Sequence, residues 1–436
     1  MRALYTVFAW LLAPVLLAVI LWRGLRDRGY WHRLGERFGF GEACGEGSIW
    51  VHAVSVGEVQ AAAPLVRALA GRAGSPRLVL TTATPTGADC ARALLGERVH
   101  VRYSPFDLPG SVRRFCARVQ PRIGIILETE LWPNLYRECG RRRVPLVLAS
   151  ARLSPRSHGR YRLLARLFRG ILTRGVVIAA QSPGDAERFR SIGAPAECIH
   201  VTGNIKFDLT LPPDLETRAR ELRVRYGGDR PVWIAGSTHG GEEEIVLEAH
   251  AAVRRTLPEA LLVLVPRHPP RFAEVAALLA RRELRFVTRA SGRELPPEAE
   301  VLLVDTLGEL VSFYGAADVA FVGGSLVPIG GHNLLEPAAL GLPVLTGPHV
   351  FNGEEIARLL LAGGAARTVR GAGELATAVV GLLKDPGERR RMGALGREAV
   401  GRNRGALERV LALIDPLLSA ACEARPAPAA RLGLRR

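Results

Sequence analysis

Lysine is nearly missing from this chain. Of 59 basic side chains counted as Lys plus Arg, only Lys206 and Lys384 are lysine. The bias reads as a property of the source genome's composition. It still makes a surviving lysine informative, because a compact ammonium does things that a planar guanidinium cannot. Paired cysteines are missing too. The six cysteines form no CxxC pair and match no zinc-ligand spacing, which argues against a zinc module and for a reducing compartment. A dinucleotide fingerprint is also lacking. The one GxGxxA match, residues 371–376, follows a polar stretch and not a buried strand, so the strand–turn–helix context is absent. No DxD-type acidic pair precedes a strand end where a metal-bridged nucleotide would need it.

Charge is absent over residues 3–22. At about 1.5 Å per residue this run is long enough to cross a bilayer core as a helix. Arg23, Arg26, Arg28, Arg33 and Arg37 follow at once. By the positive-inside rule they keep the rest of the chain on the cytoplasmic side of one amino-terminal anchor. Trp10 and Trp22 suit the two interfaces. A cleaved signal peptide fits less well, since the core is long and LWRGLRDR offers no small-residue cleavage site. Pro14 removes one helical hydrogen bond and leaves a segment lying in the interface as the alternative to a full span.

What is present is positive charge and apolar bulk. The formal net charge is +17, which points to a polyanionic partner, and 48% hydrophobic residues point to packed domains. The length suggests two or three of them. Residues 156–175 mix six arginines with Tyr161, Leu164, Leu167, Phe168 and Ile171 at helical spacing. That pattern suits a helix on anionic headgroups, or equally an amphipathic helix packed on its own domain.

Beyond the anchor, apolar runs alternate with helical patterns. Residues 49–54, 77–83, 123–128, 144–150 and 176–182 read as buried parallel strands, and 232–237, 260–267, 300–305, 318–324 and 342–348 as a second set. The fold expected is α/β, with two Rossmann-like domains facing across a cleft. The expected partition is an anchor over 1–22, a first domain over 23–210 and a second over 211–422, whose last helix is free to pack back on the first. A tail rich in Pro, Ala and Arg, expected to be disordered, covers 423–436.

Ligands of open α/β sheets bind at the carboxyl ends of strands, so the loops there carry the chemistry. SVGE (55–58) places Glu58 at a helix start, where the dipole favours an ionised carboxylate able to accept a proton. ETELWPN (128–134) ends an apolar strand with Glu128 and Glu130, which alternation points to the same side. GNIKFD (203–208) holds Lys206. GSTHGGEEE (236–244) is a turn suited to phosphate oxygens. VPRHPPR (265–271) presents Arg267, and DTLGEL and GGHNLLEP end two further strands.

Taken in order, HAVSVGE, TTATPTG, ETELWPN, GNIKFD, STHGGEE, VPRHPPR, GEL, FVGGSL, GGHNLLEP and GPHVFN resemble one family, the Kdo (3-deoxy-D-manno-octulosonic acid) transferases of lipopolysaccharide synthesis. The likeness runs from RLGERFGF (33–40) to residue 352. The resemblance implies a GT-B fold without metal or cofactor, a CMP-Kdo donor and inversion at the anomeric carbon. The acceptor it implies is the phosphorylated, acylated lipid A precursor (lipid IVA), with the membrane surface and no nucleic acid as partners. It implies Glu58 as general base, with Glu128 and Lys206 stabilising the transition state. CMP would be held by Pro266, Arg267, Leu307, Gly308, Glu309, Asn333, Leu334, Leu335 and Glu336. SARLS (150–154) and HNLLE (332–336) each vary one residue, neither of them a charged one relied on here. A GT-B enzyme using UDP-sugars, or a membrane protein that binds CMP-sugars without turnover, remains the alternative.

Overall fold

Residues 2–45, 47–72 and 76–423 are described by the structure, a computed structural model. The apolar run forms one helix, Arg2–Arg26, long and apolar enough by length and composition to cross a membrane. It is also tied to the body that follows. The Tyr5 hydroxyl donates to Asp107 at 2.8 Å, the Thr6 hydroxyl to the Asn134 side-chain oxygen at 3.2 Å, and the Trp31 indole N–H to the Leu21 carbonyl at 3.1 Å.

The first sheet has seven strands: β1 (Ser48–His52), β2 (Leu78–Thr82), β3 (Val99–Tyr103), β4 (Pro121–Leu127), β5 (Leu146–Ala151), β6 (Val176–Ala180) and β7 (Ile199–Val201). Their order is β3-β2-β1-β4-β5-β6-β7, with every pairing parallel. The second sheet comprises β8 (Val232–Thr238), β9 (Leu261–Pro266), β10 (Phe286–Thr288), β11 (Val301–Leu303), β12 (Val319–Val322), β13 (Val344–Thr346) and β14 (Ala366–Thr368). Its order is β10-β11-β9-β8-β12-β13-β14, again all parallel. The central strands are buried on both faces, which is why they read as unbroken apolar runs. Helices between them start on side-chain caps. Thr84, Ser154, Ser182 and Asp385 each accept a backbone N–H three residues on, and each is followed by a proline at the first helical position.

Four strands escaped the sequence reading: β3, β7, β10 and β14. All four are sheet edges. β7, β10 and β14 are only three residues long, and β3, though largely buried, interrupts Val99, Val101 and Tyr103 with His100 and Arg102, so no apolar run marks them.

The chain forms two compact units. One runs to Asp208 and resumes at Arg404; the other is Leu209–Asn403. The last helix, Ala406–Glu423, thus belongs to the first unit, where Ala406, Val410 and Ile414 are buried in the core of the first sheet. Asp208 secures its start by accepting the N–H groups of Gly405 and Leu407, both at 2.6 Å. Glu423 is the final residue of that helix, and the rest of the expected tail lies outside the described residues. The basic segment 156–175 divides into two helices, Pro155–Leu163 and Ala165–Leu172. Leu167, Phe168, Ile171 and Leu172 face the interior of their own unit, while Leu163 and Leu164 point outward.

Candidate active site

In each sheet the strand order reverses at one point, between β1 and β4 in the first and between β8 and β12 in the second. Loops leaving the sheet at such a point diverge and open a crevice beyond the strand ends. Glu58, Glu128 and Asn333 to Glu336 lie on these loops, and Lys206, Pro266, Arg267 and Leu307 to Glu309 lie at the ends of other strands.

In the first unit, Ser55 caps the helix Val56–Ala70 by accepting the Glu58 N–H, and the Ser55 hydroxyl returns a bond to the Glu58 carboxylate at 3.3 Å. The other Glu58 oxygen accepts the Val54 N–H at 2.9 Å. The carboxyl is thereby fixed in place just beyond β1. Burial pushes its pKa up to about 8. The Val54 N–H opposes the shift, and the nearby Glu128 and Glu130 add to it. The expectation that a helix start would favour the ionised form is corrected here, because desolvation outweighs the dipole.

The pairing of Glu128 with Glu130 is corrected as well. Strand β4 ends at Leu127, and Glu128 turns into the left-handed region at φ 57°. Strand alternation therefore no longer governs the two acids. Glu128 forms an ion pair with Lys206 Nζ at 2.8 Å. Glu130 accepts the Trp132 indole N–H at 2.7 Å, and burial raises its pKa. Lys206 sits on the short turn Ile205–Phe207, which is pinned from two sides. Asn204 accepts the Lys206 N–H at 3.0 Å, and the Ser150 hydroxyl accepts the Ile205 N–H at 3.0 Å. Ser150 itself has φ 50°. Two non-glycine residues in a conformation that costs on the order of 1–3 kcal/mol each mark this strand-end region as constrained. The outcome is a protonatable carboxyl beside a carboxylate–ammonium pair.

In the second unit, adjacent strands β11, β9, β8 and β12 deliver the remaining residues. Pro266 closes β9, and the Arg267 N–H bonds the Thr238 carbonyl at 3.0 Å. The His239 and His332 rings lie parallel, joined by an Nε2···Nε2 hydrogen bond of 2.7 Å, with His268 edge-on to His239 at 5.2 Å. Burial first, then His239 and Arg267, push the His332 pKa down to about 3. Both imidazoles of the pair are therefore neutral and share one proton between the facing nitrogens. Asn333 donates to Glu336 at 3.1 Å and accepts the Leu335 N–H at 3.1 Å. Burial raises the Glu336 carboxyl, while Asn333 and Arg267 counter that shift. Leu334 and Leu335 are buried and set this loop in place. After β11, Leu307 is exposed and Gly308 has φ 83°. Glu309 pairs with Arg289 at 2.8 Å. Burial pushes the Glu309 carboxyl up, yet bonds from Thr306 and Arg289 outweigh it and hold the group below its usual value.

The turn expected to seat phosphate oxygens at 236–244 is used differently. The Glu242 carboxylate, fully buried, accepts the N–H groups of Gly324 at 2.7 Å, Ser325 at 3.0 Å, Leu326 at 2.9 Å and His239 at 3.3 Å. It clamps the loop after β12 to the loop after β8. Neither this clamp nor the histidine pair emerged from the sequence, although both lie inside motifs noted there. Among the described residues no three His, Cys, Asp or Glu side chains are grouped to hold a metal ion.

A family model described as 3-deoxy-D-manno-octulosonic-acid transferase (kdotransferase) matches residues 32–209. The chain is 43% identical over 422 residues to the 3-deoxy-D-manno-octulosonic acid transferase of Haemophilus influenzae, covering 96% of this chain and 99% of that one. It is 38% identical over 432 residues to the protein of that description from Bordetella pertussis, covering 96% and 99%. Among solved structures, a UDP-GlcNAc 2-epimerase from Neisseria meningitidis matches with a TM-score of 0.55 at 14% identity, over 84% of this chain and 100% of that one. That likeness concerns the fold alone, the GT-B arrangement of two parallel sheets flanked by helices. Identity of this degree over almost the full length of both chains turns resemblance into membership: the chain belongs to the 3-deoxy-D-manno-octulosonic acid (Kdo) transferase family of GT-B glycosyltransferases.

Proposed function

We propose that this protein transfers Kdo from CMP-Kdo to the phosphorylated lipid A precursor, lipid IVA, at the cytoplasmic face of the inner membrane. The whole-length likeness to named Kdo transferases carries the reading, and the chemistry at the strand ends supports it. Glu58 acts as general base, taking the proton from the attacking acceptor hydroxyl as the new glycosidic bond forms. A carboxyl with a pKa near 8 holds a transferred proton well, and it becomes available as a base as pH rises toward 8. The bond from the anomeric carbon to the CMP phosphate breaks on the opposite side, inverting configuration, and the electron pair leaves with the phosphate. Lys206, oriented by Glu128, stabilises charge as it separates.

The second unit holds the nucleotide. Pro266, Leu307, Gly308, Leu334 and Leu335 shape the pocket, and Asn333 with Glu336 bonds the ribose. Arg267 receives the phosphate; among the described residues its guanidinium has no ion-pair partner. The apolar helix Arg2–Arg26 anchors the chain, and the arginines that follow it keep both units in the cytoplasm. Donor and acceptor are both anionic, in keeping with the formal charge of +17.

Incubation of the full-length protein with CMP-Kdo and lipid acceptor, read by mass spectrometry, should give an acceptor heavier by Kdo. UDP-sugars added in excess should not compete. Consumption of a UDP-sugar with no Kdo product would sink the reading.

A further inference from the structure

The amino-terminal helix is not seated flush on the first unit. A groove runs between them, walled by Phe8, Leu12 and Leu16 on the helix and by Phe106, Leu108 and Trp132 on the unit. Its floor on the helix side is Ala9 and Ala13, one turn apart, where larger side chains would have closed the gap. At one end the helix is tied across the groove by Tyr5 on Asp107 and Thr6 on Asn134, and near its other end Trp31 bonds Leu21 and joins the helix to the turn that follows it. Phe8 is 59% exposed and Trp132 and Leu16 are 38% exposed, so three large apolar side chains on its walls lack a full complement of contacts.

Position along the helix and open apolar walls, around an enclosed volume of only about 50 Å³, name the occupant. From Tyr5 to Leu16 the groove follows the helix for about 16 Å. That is roughly half of the 30 Å hydrocarbon core, the depth occupied by the acyl chains of one leaflet. One wall is part of an apolar helix able to enter a membrane. The other ends in Trp132, whose indole N–H bonds Glu130, and Glu130 lies near enough to Glu58 to raise its pKa. The groove thus leads from lipid-facing surface to within one hydrogen bond of the carboxylates at the end of β4.

We infer that this groove is a slot for one fatty acyl chain of the lipid acceptor, drawn beside the helix so that the sugar headgroup reaches Glu58. The inference rests on the proposed transfer to an acylated acceptor. The bilayer itself is the competing cover for the groove walls, and the test separates the two.

Full-length protein is assayed with CMP-Kdo and two acceptors in non-ionic detergent micelles: the phosphorylated glucosamine disaccharide with its acyl chains and the same disaccharide without them. Wild type should favour the acylated acceptor through KM. Ala13→Phe fills the slot from its floor, and Ala9→Leu does so more mildly. The ratio of kcat/KM for acylated over deacylated acceptor should fall about tenfold or more in Ala13→Phe and less in Ala9→Leu, the scale expected when an apolar pocket no longer fits its ligand. An unchanged ratio in both variants overturns the slot. So does equal use of the two acceptors by wild type, which leaves the transfer reading intact. Release of Ala13→Phe from phosphatidylethanolamine–phosphatidylglycerol vesicles with the ratio unchanged assigns the groove walls to the bilayer and also overturns it. Absence of Kdo product from either acceptor refutes the transfer reading itself, and the slot falls with it.

Discussion

Glu58 is more useful as a base than as a stabilising group. Its folded pKa of about 8 lies above the ordinary value of 4.5, so the native state binds one more proton than the unfolded chain between those values. Over that window its contribution makes stability fall as pH rises. Glu58→Gln removes the buried charge. The melting temperature of the variant, relative to wild type, should therefore climb as pH is raised from 5 toward 9. Its turnover should drop by about 10² or more, with CMP binding preserved. In wild type the rate should rise with pH and level off above about 8. A Gln variant with near-native turnover, or one losing stability relative to wild type at high pH, would remove Glu58 from the base role. Lys206 is testable through the same profile. Lys206→Ala leaves Glu128 uncompensated near Glu58, so the rising limb should move to higher pH as turnover falls. Lys206→Arg should lose turnover too, because a guanidinium cannot take the ammonium's place against Glu128. Retained activity in Lys206→Arg would make the position a generic cation. The sequence showed Glu58, Glu128 and Lys206 as candidates but not their relation. The ion pair joins residues far apart in the chain, and the φ of Glu128 takes it out of strand geometry, where alternation no longer predicts its side.

At the scale of elements, the central strands could be read and the edges could not, because the edges are short or broken by polar residues. Loop contents were legible as motifs, but not the backbone bonds that hold them. Glu242, at the first turn of the helix Glu242–Thr256, is the clearest instance. Glu242→Gln replaces one acceptor oxygen by a donor and leaves at least one N–H of Gly324, Ser325 or Leu326 unmet. A cost of about 1–3 kcal/mol is expected, seen as a lower midpoint in denaturant. CMP affinity should weaken in step, since the clamp fixes the loop that carries His332 and Asn333. Arg267→Ala, in contrast, should weaken CMP binding by calorimetry with little change in the unfolding midpoint, because among the described residues its guanidinium forms no ion pair. A shift in midpoint as large as that of Glu242→Gln would show Arg267 to be structural.

For the whole molecule, the proposed anchor and an electrostatic attraction to anionic lipid predict separable behaviour. Removing residues 2–26 should reduce vesicle binding at any salt, since apolar burial is insensitive to screening. Whatever binding to anionic vesicles remains is electrostatic and should vanish near 1 M salt, where the Debye length is about 3 Å. Co-sedimentation across a salt series measures both. Salt-resistant binding of the truncated chain would move the apolar contact to Leu163 and Leu164, the outward residues of the basic segment.

The return of the helix Ala406–Glu423 to the first sheet sets an order of events during synthesis. The amino-terminal helix leaves the ribosome first and is ready for the membrane within the earliest part of translation. The core behind it must wait for Val410 and Ile414, which emerge only after all of Leu209–Asn403. At about 5–20 residues per second that delay is roughly 10–40 s. For that time the core of the first sheet, packed by the helices Val56–Ala70 and Pro85–Leu95, lacks its last helix, and the second unit is free to fold on its own. A nascent chain stalled before residue 406 should accordingly present a protease-resistant second unit and a protease-sensitive first one.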